Sequence, residues 1–221
     1  MEIRSDTILD PTKLLNKTIH IIGCGATGSH LAIQLVKLGI RKLKLWDFDT
    51  IESHNLTNQI WTQKDIGSSK VEALKNHIYE LDNTLDMSKF YNMGKYRNQI
   101  LEGIVFNCVD SMELRKFIYE QNIFAEIELM LDPRLGSTTG SVFTYTWTTN
   151  NIKTLIDLSD FKDNEIDVER SLCGTPININ TTLFQVVNYL LINFINYINN
   201  DSYYNQIYFE PLKYKTTFLN N

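Results

Sequence analysis

The stretch Lys17-Thr18-Ile19-His20-Ile21-Ile22-Gly23-Cys24-Gly25-Ala26-Thr27-Gly28 decides the fold. Residues 17–22 form a short, apolar-leaning run that stops at glycine, the pattern of a buried parallel strand. From Ser29 to Leu38, the residues Leu31, Ala32, Leu35 and Leu38 recur at helical spacing, and Gly39 ends the helix. Lys42–Trp46 alternates as a second strand. Strand, glycine turn, helix and strand within about 30 residues make a βαβ unit. Gly23 permits the tight turn out of the strand, Gly25 lets the backbone approach a phosphate, and Gly28 lets the helix pack closely on the sheet. The helix N-terminus then offers free N–H groups and a positive dipole end to an anion. The G-x-G-x-x-G spacing is a weak signal alone; its place between strand and helix gives it weight. Asp47, closing the second strand, can accept from ribose hydroxyls. These residues imply a nucleotide and leave NAD, FAD and ATP open.

Further along, Lys70–Leu81 reads as a helix with Val71, Leu74, Ile78 and Leu81 on one face. Ile104–Val109 reads as a third buried strand and Met112–Gln121 as a helix. Glu128–Leu131 and Ser141–Trp147 read as strands joined through residues 132–136. Leu158–Thr175 is polar and acidic, the character of a surface crossover. Thr181–Ile198 reads as a helix with Phe184, Val187, Leu191, Phe194 and Ile198 inward and its asparagines turned away. Gln206–Leu219 suggests one or two terminal strands. The expectation is one α/β domain over residues 1–221, Rossmann-like and three-layered, with a mainly parallel sheet. Its parts are a nucleotide-binding core (1–150), a crossover loop (151–180) and a C-terminal helix with terminal strands (181–221).

Composition narrows the function classes. A chain of 221 residues, 43% hydrophobic, can bury a core without metal or disulfide staples. A net charge of −5 and no Lys/Arg block argue against nucleic acid and acidic membranes. Three cysteines without a CxxC pair suggest a reducing, cytoplasmic setting and no structural zinc. The N-terminal residues lack the basic start and apolar run of a signal peptide. The most apolar stretch, residues 183–198, is interrupted by Gln185, Asn188, Asn193 and Asn196 and is too polar to span a membrane.

The segment Asp47-Phe48-Asp49-Thr50-Ile51-Glu52-Ser53-His54-Asn55-Leu56-Thr57-Asn58-Gln59 bears on the choice of nucleotide, together with Lys70 at the start of the next helix. A dehydrogenase needs the acid at Asp47 and nothing particular after it. Here Lys70 offers positive charge to phosphate oxygens, and Asn55 and Gln59 offer neutral hydrogen bonds. This set suits a triphosphate; a solvated polar loop is the other reading.

Residues 47–59 resemble the DxDxVxxSNLxRQ signature of the ThiF/MoeB and ubiquitin-activating superfamily. Residues 65–74 (DIGSSKVEAL) resemble its DvGxxKaeal motif, and residues 107–115 (NCVDSMELR) its DxxDNxxxR motif. The likeness covers residues 17–147 well. It implies that Gly23, Gly25 and Gly28 line a nucleotide, that Asp47 binds the ribose with Asp49 beside it, and that Asn55, Gln59 and Lys70 serve the phosphates. It also implies Mg²⁺ at Asp110, next to Ser111. The activity implied is ATP-dependent adenylation of the C-terminal carboxylate of a ubiquitin-like or sulfur-carrier protein, by a homodimer. Lys70 and Asp110 would be its catalytic groups.

The sequence departs from the pattern in three places. Asn58 stands where the family has an arginine, which removes a bidentate phosphate clamp. Arg4 and Arg134 are candidate replacements. Asn107 replaces the first acid of the third motif and Ser111 its asparagine. Two other readings therefore stay open: an NAD(P)-dependent oxidoreductase, which the glycine loop and Asp47 also fit, and a non-catalytic nucleotide-binding relative with a degenerate site. Cys173 resembles the loop cysteine that forms a thioester in relatives. Arg170 beside it would favour thiolate, the acids Asp163, Glu165, Asp167 and Glu169 would not, and a loop cysteine without a role is an equal reading. Cys24 and Cys108 read as packing residues. The aromatic run Tyr203, Tyr204, Tyr208 and Phe209 reads as core or dimer surface rather than a base-stacking platform.

Overall fold

Strand β1 (Ile19–Ile22) is buried along its whole length, as its unbroken apolar pattern requires. It lies between two parallel neighbours, β2 (Leu43–Trp46) and β4 (Glu102–Asn107). In this computed structural model, which describes residues 9–14, 17–160 and 176–220, the strands build a single eight-stranded sheet in the order β3-β2-β1-β4-β5-β6-β7-β8. The remaining strands are β3 (Phe90–Asn92), β5 (Glu126–Leu135), β6 (Gly140–Thr146), β7 (Gln206–Glu210) and β8 (Lys215–Leu219). From β3 to β5 all pairs are parallel; from β5 onward they are antiparallel. The parallel part has the 3-2-1-4-5 order whose strand sequence reverses beside β1, where open α/β sheets form a crevice.

Among the described residues five α-helices cover the two faces: α1 (Ala26–Lys37), α2 (Lys70–Leu81), α3 (Met112–Gln121), α4 (Thr149–Asp157) and α5 (Pro176–Asn199). On one face Leu31 and Leu35 of α1, Leu74 and Ile78 of α2 and Leu190 and Phe194 of α5 share a core with Ile21, Leu45 and Phe106. On the other, Ile118 and Tyr119 of α3 and Leu155 of α4 pack on Val105, Met130 and Tyr145. Phe106 and Phe194 meet with ring centroids 5.6 Å apart. Fully burying such a side chain stabilises by roughly 1.5–3 kcal/mol. Among the described residues no helix is long and apolar enough to cross a membrane.

Several expectations are corrected. Helix α4 and strand β3 carry no clear sequence signal, because Thr149–Asp157 is short and polar and β3 has only three residues. The crossover expected over 151–180 is thus shortened by α4 at one end and by α5 at the other. Strand β5 continues through residues 132–135, expected as the connection between the two strands. Pairing of β4 with β5 ends at Leu131, so one side of Pro133 has no strand asking for an N–H. On α5, Phe184 is 59% exposed rather than inward. Asn193, expected outside, is buried, and its Nδ2 donates to Thr144 Oγ1 and the Tyr204 carbonyl, both at 2.8 Å.

Candidate functional site

The strand register lines up the carboxyl ends of β1, β2 and β4. Ile22 stands opposite both Trp46 and Asn107. The residues just beyond, Gly23, Asp47 and Cys108, are then tied together. Gly23 N donates to the Trp46 carbonyl and Cys108 N to the Ile22 carbonyl, each at 2.8 Å. Gly23 has φ +91°, and a Cβ there would stand 2.7 Å from the Cys108 carbonyl oxygen. Only glycine turns the chain here.

The other two loop glycines have different roles. Gly28 packs as its place in the loop suggests. A Cβ on it would meet the Gly23 carbonyl oxygen at 1.9 Å, so its work is to let α1 close on the loop. Gly25 caps α1 and faces open space, with Gln59 Nε2 the nearest atom to an added Cβ, at 4.0 Å. A missing side chain here leaves room for a ligand against backbone N–H groups at a helix N-terminus.

A cavity of about 1100 Å³ opens over these strand ends. Gly23, Gly25, Asp47, Asp49, Asn55, Asn58, Gln59, Lys70, Asp110 and Ser111 all line it, so sequence-distant candidates converge on one space. Arg4 and Cys173 lie outside the described residues.

Asp47 receives the Cys24 N–H at 2.7 Å and the Asp49 N–H at 2.8 Å, one on each oxygen. Burial raises its pKa; those hydrogen bonds and the charge of Lys70 oppose the rise. Lys70 is only 7% exposed, yet its Nζ reaches the Asp49 carboxylate at 2.8 Å. Asn55 is held by a capping box: its Oδ1 accepts from Glu52 N at 2.9 Å. Gln59 Oε1 accepts from Trp61 Nε1 at 2.6 Å, which orients the amide towards Gly25. Asn58 is buried at the cavity wall. Asp110 is exposed at the mouth of the β4–α3 turn, and Ser111 beside it caps α3 by accepting from Leu114 N.

Arg134 also lines the cavity, but its guanidinium is committed elsewhere. Nε and Nη2 donate to Asp132 at 3.1 and 2.9 Å, Nη1 to the Leu158 carbonyl at 2.6 Å, and Nη2 to Ser159 at 3.0 Å. It is a poor stand-in for the arginine replaced by Asn58. Cys24 is fully enclosed, and burial pushes its thiol far up. Cys108 is partly exposed at the cavity wall, yet its thiol is deep enough that desolvation pushes it up to about 12, so neither is a ready nucleophile.

Part of the wall has no signature in the sequence. Lys95 lies 4.6 Å above the Phe48 ring, and both line the cavity with Trp46 and Tyr96. Lys95 sits in an irregular stretch with no periodic signal. Tyr208, Phe209, Glu210, Lys215 and Thr217, from β7 and β8, close the far side. Phe209 is core as expected and also borders the cavity, while Tyr208 is 37% exposed on this wall. Strand order, not sequence pattern, brings them there.

A model of the ThiF family matches residues 8–219. The chain belongs to the ThiF family. This ThiF chain is 29% identical over 134 residues to ubiquitin-like modifier-activating enzyme 5 of Drosophila persimilis, across 53% of the chain and 35% of that protein. It is 30% identical over 127 residues to the same-named protein of Caenorhabditis briggsae, across 51% and 29%. It therefore spans about a third of the length of these curated relatives. Among solved structures it resembles E. coli MccB crystallised with AMPCPP and MccA, with a TM-score of 0.65 and 19% identity over 95% of this chain and 65% of that one. It also resembles PaaA, with a TM-score of 0.68 and 16% identity over 94% and 64%. At these identities the structural matches establish a shared fold.

Proposed function

We propose that this chain uses ATP to adenylate the C-terminal carboxylate of a peptide or small carrier protein of ubiquitin-like or sulfur-carrier type. The observation that carries the reading is the single cavity that holds Gly25, Asp47, Lys70 and Asp110 together at the carboxyl ends of β1, β2 and β4. The similar proteins favour it: two relatives are ubiquitin-like modifier-activating enzymes, and MccB was crystallised with AMPCPP and MccA.

In this reading the substrate carboxylate attacks the α-phosphorus of ATP, a mixed acyl–phosphate anhydride forms, and pyrophosphate leaves with the electrons of the broken bond. The protein contributes positioning and charge. Gly25 and the start of α1 offer N–H groups to phosphate. Asp47 keeps a lone pair on each oxygen for ribose hydroxyls. Lys70 supplies a cation already aimed along the cavity wall by Asp49. Asp110 is the carboxylate for Mg²⁺, which would neutralise phosphate charge when bound. Mg²⁺ needs few protein carboxylates and takes the rest of its oxygens from phosphate and water. Asp110, exposed at the cavity wall, is the acid placed for that role. A homodimer, a cytoplasmic setting and a thioester at Cys173 belong to the same proposal.

ATP–pyrophosphate exchange with a candidate carrier tests it. Carrier-dependent exchange is expected. NADH binding without exchange would instead support an oxidoreductase, and ATP binding without exchange for any carrier would support a non-catalytic relative.

A further inference from the structure

We propose that Asp132 is a positioning residue whose carboxylate, carried on β5, does the work of an acid at position 107: it fixes Arg115 and, through it, the turn that presents Asp110. The proposal rests on the adenylation reading only for what that turn does, not for how it is held.

Asp132 is completely buried. One carboxylate oxygen accepts from Arg115 Nη1, the other from Arg134 Nε and Nη2. Arg115, 4% exposed, passes the constraint on. It donates to the Asn107 carbonyl at 3.0 Å and to the Val109 carbonyl, the two carbonyls flanking Cys108. The β4–β5 ladder has ended by then, its last pair being Phe106 with Leu131. Arg115 therefore satisfies backbone groups that no strand reaches. Val109 directly precedes Asp110, and the Cys108 carbonyl is the surface against which Gly23 turns. One guanidinium thus sets both the acid at the cavity mouth and the backing of the glycine loop.

Position 107 shows where the charge is missing. The motif that residues 107–115 resemble begins with an acid; this chain has Asn107. Its side chain is fully buried, and neither of its polar atoms finds a well-formed hydrogen bond among the described residues. Arg115 Nε likewise lacks one. An acid at 107 and one at 132, on adjacent strands, would face the same guanidinium. Two guanidinia already share the one carboxylate of Asp132; without it, buried Arg115 and half-buried Arg134 would have no counter-charge. At least one acid is required, and β5 supplies it.

The test is a charge swap across four proteins: wild type, Asp132→Asn, Asn107→Asp and the double variant. The first readout needs no nucleotide: hydrogen exchange of the amides of residues 108–111. Asp132→Asn is expected to speed that segment by about 10-fold while β1 and α1 stay protected, and the double variant to restore it. The second is Mg·ATP affinity by calorimetry, where a loss of about 10-fold in Asp132→Asn and its recovery in the double variant are expected, the scale seen when a supporting partner of a ligand-holding group is removed. Unchanged exchange in Asp132→Asn overturns the proposal. So does faster exchange everywhere that the double variant fails to reverse, since that marks a merely structural carboxylate. If the wild type binds no Mg·ATP, the adenylation reading falls while the exchange measurement still decides the role of Asp132.

Discussion

Lys70 and Asp49 form an ion pair of unequal partners. Their atoms meet at 2.8 Å, with the Lys70 side chain 9% exposed and that of Asp49 49% exposed. The lysine is enclosed, so its charge needs a companion; the aspartate is solvated and can give it up cheaply. A phosphate arriving in the cavity would compete for the same ammonium. Lys70→Ala is expected to lower carrier-dependent ATP–pyrophosphate exchange by about 100-fold or more, the scale of losing one preorganised charge donor. Asp49→Asn should leave measurable exchange. Equal activity of Lys70→Ala and wild type would show that the lysine is a buried structural cation only.

The three glycines of the loop separate ligand space from packing space. Gly25→Ala adds a methyl to open cavity and should change stability by no more than about 0.5 kcal/mol while weakening ATP binding. Gly28→Ala drives a methyl into the Gly23 carbonyl and should cost roughly 1–3 kcal/mol as overpacking. Urea melts beside ATP titrations read both effects. A destabilised Gly25→Ala that still binds ATP normally would reverse the assignment.

The glycine loop and the acid after β2 were legible because they are local: one strand, one turn, one helix. Helix α2 and strand β4 were legible from apolar spacing. The Asp132–Arg115 contact was not, since it joins residues on a strand and a helix that the sequence separates by a turn of no special pattern. Nor was the far wall of the cavity, because Tyr208 and Lys215 arrive there only through the antiparallel extension of the sheet beyond β5. Asn193 misled for a related reason. Its polarity argues for solvent, and only the Thr144 hydroxyl and Tyr204 carbonyl make its burial affordable.

His20 gives the fold an acid-sensitive point outside the cavity. Burial first, and then the charge of Lys44, pull its pKa from 6.5 to about 3. Its Nδ1 accepts from Trp46 Nε1 at 2.9 Å, which requires that nitrogen to be unprotonated. Below pH 6.5 the unfolded chain takes up a proton that the folded one refuses. Stability is therefore lost as pH falls through the window from 6.5 to about 3, at no more than about 1.4 kcal/mol per pH unit from this group. His20→Gln keeps an acceptor for Trp46 and removes the titration. Denaturant melts at successive pH values should show a shallower acid loss in the variant; parallel curves would remove His20 as the cause.

The raised thiols of Cys24 and Cys108 make a prediction about covalent chemistry. Both should resist iodoacetamide in the folded protein at about neutral pH. A DTT-labile adduct with the carrier, if formed, is then expected to map to Cys173 and to vanish in Cys173→Ser with exchange intact. An adduct that survives the substitution would eliminate the thioester role.

Gly23 is hemmed in from two sides, by the Cys108 carbonyl and by the close approach of Gly28. A loop clamped in this way is a mould that has already set, not a flap that waits for its cargo. Its encounter with a nucleotide is expected to be a single kinetic step, with an observed rate that climbs linearly with nucleotide concentration and shows no plateau of slow closure.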